Sequence, residues 1–422
     1  MSSDQAAPSN LSPEHLLTLY EITGTMISSL DFDEVLNNVM ESVMAITKAQ
    51  RGFLMIDDPD TGELQVLVVK GLDGATLEEE GYSTTIVNQV VTSRESLLTN
   101  NAMFDTRFQA GQSIIMRGLR AILCAPMLVK GRLIGVVYVD TSMRTGNFSN
   151  ADRELLDAVA GQAAIAIENA RLYTVAVEKG RMERELQMAS EIQTGLLPHE
   201  LPQVPGFEIA AKWQAAREVA GDFYDAFGLD DGRFGIVIAD VSDKGAPAAL
   251  FMAVARTMIR SNSHIGLPPV ETLSRTNDLI LEDAESGMFV TVYHSHFASD
   301  GQSVHVNAGH NPPLFYRAGS GEAEFMPRGG RAIGWFPNNP LQEVGLQLER
   351  GDIIVYYTDG LTEAENHSGE PFGEGRLADV VCRTADKKAE DILKAIIAEQ
   401  GAFCAGMPPF DDITIVIVRY VG

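Results

Sequence analysis

Aspartates at the ends of apolar segments are the residues of this 422-residue chain whose types and spacing could do chemistry. Each lies where a predicted strand meets a turn, as Asp240 does after 236–239 and Asp359 does before Gly360. Carboxylates gathered at one sheet edge bind hard divalent cations such as Mg²⁺ or Mn²⁺. The pattern indicates metal-assisted hydrolysis, although any one of these aspartates alone is more typical of a turn or a helix cap. The candidates are Asp222, Asp240, Asp359, Asp411 and Asp412.

A series of short motifs surrounds these aspartates, in a fixed order from about residue 183 onward. They are QMASEIQTGLLP at 187–198, VAGDFYD at 219–225, IADVSDKG at 238–245, MFVT at 288–291, NAGHNPPL at 307–314, YTDGLTEA at 357–364 and DDIT at 411–414. Motif after motif, this part of the chain resembles the SpoIIE-type branch of the PPM (metal-dependent serine/threonine) protein phosphatases.

The resemblance implies a site for two ions of Mn²⁺ or Mg²⁺. Asp240 would bridge the ions, and the backbone carbonyl of Val241 would bind one of them. Asp359 and Asp411 would complete the ligand shell of the second ion, whereas Asp222 would act mostly through metal-bound water. A water shared by the ions would attack phosphorus in line. The implied substrate is phosphoserine or phosphothreonine in the phosphorylated antagonist of an anti-sigma factor, a STAS-type protein.

Some positions depart from the family's pattern. Ala220 stands in place of a glycine, which matters only if this residue has a positive φ. Asp243 also replaces a glycine, and it is either a further metal ligand or, as we expect, the cap of a helix starting near Ala246. Ser242 occupies the place of a histidine that is regarded as the general acid in eukaryotic relatives, so the general acid is unassigned. His310 is expected to fix a turn.

The first half of the chain predicts strands between helices. Apolar residues at helical spacing come first, and hairpins are predicted at 52–69 and 121–139. This order resembles a GAF domain at residues 15–172, which is a small-molecule sensor or a dimerisation module. No histidine occurs between His15 and His199, which disfavours histidine-ligated haem. The signature of cyclic-nucleotide GAF domains is incomplete, so the GAF ligand stays unknown.

A long helix is predicted between the two domains. Residues 152–197 contain no proline, and their apolar residues from Leu172 to Leu196 recur at alternating steps of three and four. That spacing is typical of a coiled-coil seam, although Lys179 and Gln193 are polar. We expect a parallel homodimer through the GAF domain and this linker, with a helix packed on its own domain as the alternative.

The composition argues against several classes of protein. A formal net charge of -26 disfavours binding to nucleic acid, because such binding depends on lysine and arginine. The longest apolar runs are too short for membrane insertion. The cysteines Cys124, Cys382 and Cys404 have no metal or redox spacing, so no disulfide framework is expected. We therefore expect a cytoplasmic protein.

The predicted fold class is α+β, with four consecutive parts. They are a flexible N-terminus at 1–14, a GAF domain with an antiparallel sheet and flanking helices at 15–172, a helical coiled-coil linker at 173–200, and an αββα PPM sandwich at 201–422. The predicted function is a metal-dependent protein serine/threonine phosphatase regulated by the GAF domain. The alternatives are a metal-dependent hydrolase of small phosphate esters and a non-catalytic signalling scaffold.

Overall fold

The computed structural model describes most of the chain. The described residues are 29–58, 61–71, 81–100, 121–141, 147–283 and 287–422, with scattered positions between 17 and 26. The segment 1–14, predicted to be flexible, lies outside them. The chain divides into two compact units, Met1–Arg181 and Met182–Gly422, and each is described by itself. Within the described ranges, no helix combines the length and the apolar character needed to cross a bilayer.

The first unit contains an antiparallel sheet and the helices around it. The strands are β1 (Arg51–Asp57), β2 (Leu64–Lys70), β3 (Leu97–Thr99), β4 (Ala121–Val129) and β5 (Arg132–Thr141). The described helices are α1 (Phe32–Thr47), α2 (Thr84–Ser93) and α3 (Asn150–Leu196), and α3 continues into the second unit. The strand order is β2-β1-β5-β4-β3. The two predicted hairpins are confirmed, because β1 pairs with β2 and β4 pairs with β5.

Helices cover both faces of this sheet. Val39 of α1 and Leu156 of α3 pack in one apolar cluster with Leu54 of β1. Val87 of α2 packs in a second cluster with Tyr138 of β5. A sheet with apolar residues on both faces must be covered on both, which explains the helices on either side.

Capping explains where two of these helices begin. The Asp31 carboxylate accepts a hydrogen bond from Glu34 N at 2.9 Å, which satisfies a free backbone donor in the first turn of α1. At the start of α3, the Asp152 carboxylate accepts from Ser149 N at 2.7 Å, and Ser149 Oγ accepts from Asp152 N at 3.2 Å. Asp152 and Ser149 therefore cap the start of α3.

The second unit consists of two antiparallel sheets and five helices within the described residues. The strands are β6 (Phe207–Gln214), β7 (Phe223–Gly228), β8 (Phe234–Val241), β9 (Val290–Phe297), β10 (Gln302–Ala308), β11 (Leu314–Arg317), β12 (Glu322–Phe325), β13 (Glu343–Gln347), β14 (Ile353–Tyr357) and β15 (Ile413–Tyr420). The helices are α4 (Ala246–His264), α5 (Pro269–Asp283), α6 (Asp359–Thr362), α7 (Gly373–Thr384) and α8 (Ala389–Cys404).

The sheets pack face to face, with helices outside each. The strand orders are β13-β10-β9-β8-β7 and β12-β11-β14-β15-β6. Ile236 and Tyr293 of the first sheet share one apolar cluster with Ile354 and Val416 of the second. Helices α4 and α5 cover the outer face of the first sheet, and α7 and α8 cover that of the second. The predicted αββα sandwich is confirmed.

The long helix is also present, as α3. Its last turns lie in the second unit, where Gln193 is only 3% exposed. The Gln193 side chain donates to Ala220 O at 2.6 Å and accepts from Ala220 N at 3.0 Å. Gln193 was expected in the coiled-coil seam, and at this residue the expectation is wrong. A helix packed on its own domain describes this turn, because the amide side chain satisfies a buried backbone donor and acceptor.

Candidate metal centre and active site

Each sheet of the sandwich contributes two aspartates at the same edge. Asp222 directly precedes β7, and Asp240 lies near the end of β8, its neighbour in the first sheet. Asp359 follows β14 and begins α6, and Asp411 lies just before β15, which neighbours β14 in the second sheet. The chain therefore reaches this edge four times, each time where a strand meets a turn.

Asp222 is held in place by groups from both sheets. It is 3% exposed, and its Oδ2 accepts a hydrogen bond from Thr414 Oγ1 at 3.1 Å. Trp213 Nε1 donates to the backbone oxygen of Asp222 at 3.0 Å. Because Thr414 belongs to β15 and Asp222 leads into β7, this contact ties the end of one sheet to the end of the other.

The four carboxylates form one electrostatic cluster. Burial, followed by the charge of Asp240, raises the pKa of Asp222 well above its usual range. Burial, followed by the charge of Asp359, raises the pKa of Asp240 to about 7. Burial, followed by the charges of Glu363 and Asp411, raises the pKa of Asp359 as well. The charge of Asp411 also contributes to the raised pKa of Asp240. Negative charges held this close disfavour ionisation unless positive charge joins them.

Backbone contacts bring the proposed ligands near one another. A Cβ placed on Gly360 would lie 2.0 Å from the backbone oxygen of Asp412, so only glycine allows this approach of α6 to the turn before β15. A Cβ on Gly221 would lie 3.1 Å from the backbone oxygen of Val241. The Val241 carbonyl therefore faces the residue before Asp222, at the edge where it would be needed as a ligand.

Asp412 serves the loop that leads to Asp222. Its Oδ1 accepts from Ala216 N at 2.8 Å, and its Oδ2 accepts from Gly221 N at 2.9 Å. Both carboxylate oxygens are thus used on backbone donors. Asp412 is a positioning residue of the site in this structure.

The donor set fits a hard divalent cation. All proposed ligands present oxygen atoms, which Mg²⁺ and Mn²⁺ prefer. As the described side chains stand, no group of three or more His, Cys, Asp or Glu residues is arranged to hold an ion. Among the described residues, the ammonium of Lys244 reaches the cluster, and its Nζ lies 2.7 Å from Asp411 Oδ2. The cluster therefore attracts positive charge, and its ligands would have to close around an ion.

The departures at Ala220 and Asp243 from the family's pattern have different outcomes. Ala220 is fully buried and is not among the described residues with positive φ, so its methyl group causes no backbone strain. Asp243 was expected to cap α4, and this expectation is wrong: Gly245 is the N-cap, without a side-chain cap. Asp243 has φ +78°, a conformation that favours glycine, and its Oδ1 accepts from Lys244 N at 3.2 Å.

Ser242 and His310 have structural contacts. Ser242 Oγ accepts from Phe289 N at 3.0 Å, next to the end of β8. His310 N donates to Asn307 Oδ1 at 2.8 Å, and the Asn307 side chain donates to His310 O at 3.1 Å. The Asn307 side chain therefore closes the turn after β10, whereas the His310 ring contacts Thr291 Oγ1 through Nδ1 at 2.8 Å. Burial lowers the pKa of His310 to about 4, so its imidazole is neutral at physiological pH.

Other polar groups near the site were not singled out from the sequence. Asp225, in the same motif as Asp222, points away to Arg256 Nη2 at 2.9 Å and Arg260 Nη1 at 2.8 Å, and thereby links β7 to α4. Lys244 lies in the motif at 238–245, and only its position four residues after Asp240 could have indicated a role at the site. Residue spacing carried no sign of the Asp225 ion pairs.

A polar cavity opens beside Asp359. Its volume is about 640 Å³, and its lining includes His310, Arg328, Glu363 and Glu374. Tyr357 Oη donates to Glu374 Oε1 at 3.3 Å on this side. The cavity offers polar groups of both signs next to the aspartate cluster, which suits a polar peptide segment.

Comparisons with known families agree with this geometry. Residues 230–421 match the family described as stage II sporulation protein E (SpoIIE), and residues 29–168 match the GAF domain. The first match includes Asp240, Asp359 and Asp411, whereas Asp222 precedes it.

Individual proteins are similar over part of the chain. Protein IcfG of Synechocystis sp. is 31% identical over 302 residues, which are 64% of this chain and 47% of that protein. Phosphoserine phosphatase RsbU of Bacillus subtilis is 26% identical over 242 residues, which are 56% of this chain and 70% of that protein. The chain thus spans about half the length of the first relative.

A solved structure shares the fold of the second unit. The SiaA-PP2C domain of Pseudomonas aeruginosa has a TM-score of 0.51 at 23% identity, covering 58% of this chain and 99% of that domain. The αββα sandwich and the aspartates at its edge are consistent with the matched families. Residues 29–168 thus match a GAF domain, residues 230–421 match the SpoIIE family, and the second unit has the fold of a PP2C domain.

Proposed function

We propose that this chain is a metal-dependent protein serine/threonine phosphatase. The observation that carries the proposal is the convergence of Asp222, Asp240, Asp359 and Asp411, from two sheets, into one electrostatic cluster. Such a cluster is unfavourable without cations and suited to binding them. A relative that is named a phosphoserine phosphatase supports the same reading.

In this proposal, the aspartates and the Val241 carbonyl hold two ions of Mn²⁺ or Mg²⁺. Bound divalent cations would make water nucleophilic near neutral pH and neutralise the phosphoryl oxygens. The protein's own contribution is to hold the segments that carry the carboxylates next to one another. Thr414 orients Asp222, and Asp412 fixes the loop before it.

The proposed substrate is the phosphorylated antagonist of an anti-sigma factor, a STAS-type protein. The polar cavity beside Asp359 supports a protein substrate, because it offers Arg328, Glu363 and Glu374 to residues that flank a phosphoserine. A small phosphate ester would leave these groups unused. The preference for a phosphoprotein over a small ester is therefore part of the proposal.

The test is Mn²⁺-dependent release of phosphate by the full-length chain. The substrates are a phosphoserine-bearing STAS-type antagonist and a free small phosphoester, and the variant is Asp240→Ala. Asp300→Ala is the matched control, because Asp300 lies in an exposed turn where its carboxylate accepts from Gln302 N. We expect release from the phosphoprotein that needs Mn²⁺ and Asp240 but not Asp300.

The outcomes separate the candidate functions. Faster release from the small ester would favour a small-molecule hydrolase. No release from either substrate, with Mn²⁺ bound to folded protein, would contradict the enzyme and favour a signalling scaffold. Equal activity of Asp240→Ala and the wild type would contradict the proposed site.

We further propose that the chain forms a homodimer through the GAF domain and the linker at 173–200. Leu172, Val175 and Met182 follow the seam spacing on α3 and are 58%, 57% and 64% exposed, so apolar surface is available there. Val175→Glu should dissociate the dimer in analytical ultracentrifugation. Val177→Glu is the control, because Val177 is 49% exposed but lies off the seam. A monomeric wild type would contradict the proposal.

A further inference from the structure

Lys244 is the cation that the structure places on the proposed metal site. It lies in the turn between β8 and α4, between Asp243 with φ +78° and Gly245 with φ +83°. Its Nζ donates to Asp411 Oδ2 at 2.7 Å, and it lies 4.6 Å from the centre of the Phe410 ring. A carboxylate and an aromatic face thus hold the ammonium at the cluster.

This ion pair faces solvent. The side chains of Lys244 and Asp411 are 39% and 36% exposed, and Phe410 is 86% exposed. An exposed ion pair is weak, at about 0.2–1 kcal/mol, so a stronger cation can displace the ammonium from Asp411. A phosphorylated protein must also approach from solvent, and the ammonium lies on that side of the cluster.

The net charge of the site indicates a second role for the Lys244 ammonium after its displacement from Asp411. Two divalent cations would only neutralise the four aspartate ligands, and Asp412 adds a further negative charge beside them. A phosphoserine carries a charge of about −1.5 to −2 at neutral pH, so a site with net negative charge would repel it. Lys244 supplies the compensating positive charge at this place.

We propose that Lys244 has two alternating partners, Asp411 in the metal-free protein and the substrate's phosphoryl oxygens in the metal-loaded one. The inference rests on the proposed phosphatase function and adds a substrate-binding residue to it. In the first state the ammonium competes with the metal ion for Asp411. In the second state it holds phosphate by a charged hydrogen bond.

The test compares Lys244→Met with Lys394→Met in the full-length protein. Lys394 also forms an ion pair of 2.7 Å, with Glu390 on α8, so its variant removes the same charge away from the site. The first readout is Mn²⁺ affinity by titration calorimetry. Removal of the competing ammonium should tighten Mn²⁺ binding by about three- to fivefold, the upper part of the range for an exposed ion pair.

The second readout is the affinity of the Mn²⁺-loaded protein for inorganic phosphate. Lys244→Met should bind phosphate about tenfold more weakly, because it loses one hydrogen bond from a charged group. With phosphoprotein substrate, KM should rise more than kcat falls. Lys244→Arg should restore phosphate binding, since the guanidinium keeps the charge.

The failures of the two proposals are distinguishable. If either affinity of Lys244→Met equals that of Lys394→Met, the role of Lys244 is overturned while the phosphatase stands. If Asp240→Ala binds Mn²⁺ as the wild type does, the metal site and the role of Lys244 are both overturned.

Discussion

Replacement of Gly360 by alanine should damage the proposed metal site by a steric route. The added Cβ would lie 2.0 Å from the backbone oxygen of Asp412 and 3.1 Å from the backbone carbon of Asp411. Non-bonded heavy atoms need about 3.5 Å, so the two turns must separate by roughly 1.5 Å. The separation moves Asp359 away from Asp411, the two carboxylates expected to share an ion.

The magnitude follows from this displacement. Overpacking of this kind costs about 1–3 kcal/mol of stability, and a misplacement of about 1 Å at reacting groups costs about 10²-fold in rate. Urea unfolding, Mn²⁺ titration and phosphate release measure these effects. We expect Gly360→Ala to be impaired in all three.

A second glycine provides the control for Gly360→Ala. Gly401 lies in α8, and a Cβ there would meet no atom within 4 Å. Gly401→Ala should therefore be stabilised by about 0.5–1 kcal/mol, because alanine is the better helix former. If Gly360→Ala unfolds and binds Mn²⁺ as the wild type does, the steric reasoning is refuted.

Three other substitutions test the energetics of the second unit. Asp240→Asn should raise the unfolding temperature in EDTA, because the substitution removes one of several mutually repelling carboxylates. Mn²⁺, in contrast, should raise the unfolding temperature of the wild type only. Calorimetry with and without Mn²⁺ measures both effects, and an equal response of the two proteins would contradict the prediction. Gln193→Leu should lower the free energy of unfolding in urea by about 2 kcal/mol, because two buried hydrogen bonds to Ala220 are lost. The control is Gln187→Leu at an exposed position, which should change this free energy by less than about 0.5 kcal/mol. Burial lowers the pKa of His294 from 6.5 to about 4, so in this interval only the unfolded state takes up the proton. As pH falls from 6.5 to about 4, the wild type should lose about 1.4 kcal/mol per pH unit relative to His294→Gln, with no such difference above pH 6.5. Parallel urea stability curves for the two proteins across this interval would contradict the burial argument.

Elements with a local signal were predictable from the sequence. The hairpins at 52–69 and 121–139 were recognisable because alternating or apolar runs flank a turn, and the long helix because residues 152–197 lack proline. The aspartates were found for a similar reason, since each ends an apolar run. Their convergence then followed from resemblance to a family.

Contacts between distant segments were not predictable. Gln193 resembled a weak seam residue, and only the approach of Ala220 shows that both amide groups are used inside the domain. Asp243 resembled a helix cap, yet the turn that it occupies has a positive φ and leaves capping to Gly245. In each case the local sequence allowed more than one role for the side chain, and a contact in the folded structure determined which role it has.

Hydrogen bonds at the site connect the two sheet ends, and charge neutralisation is left to the cations. Thr414 of β15 holds the carboxylate of Asp222 before β7, and Asp412 of the same segment holds the backbone of Gly221. Hydrogen bonds between protein groups therefore join the two sheet ends. These hydrogen bonds do not relieve the electrostatic repulsion between Asp240 and the neighbouring carboxylates. Cations that bind there meet sheet ends that already contact each other, so their binding energy is available to neutralise charge and to draw the carboxylates around the ions.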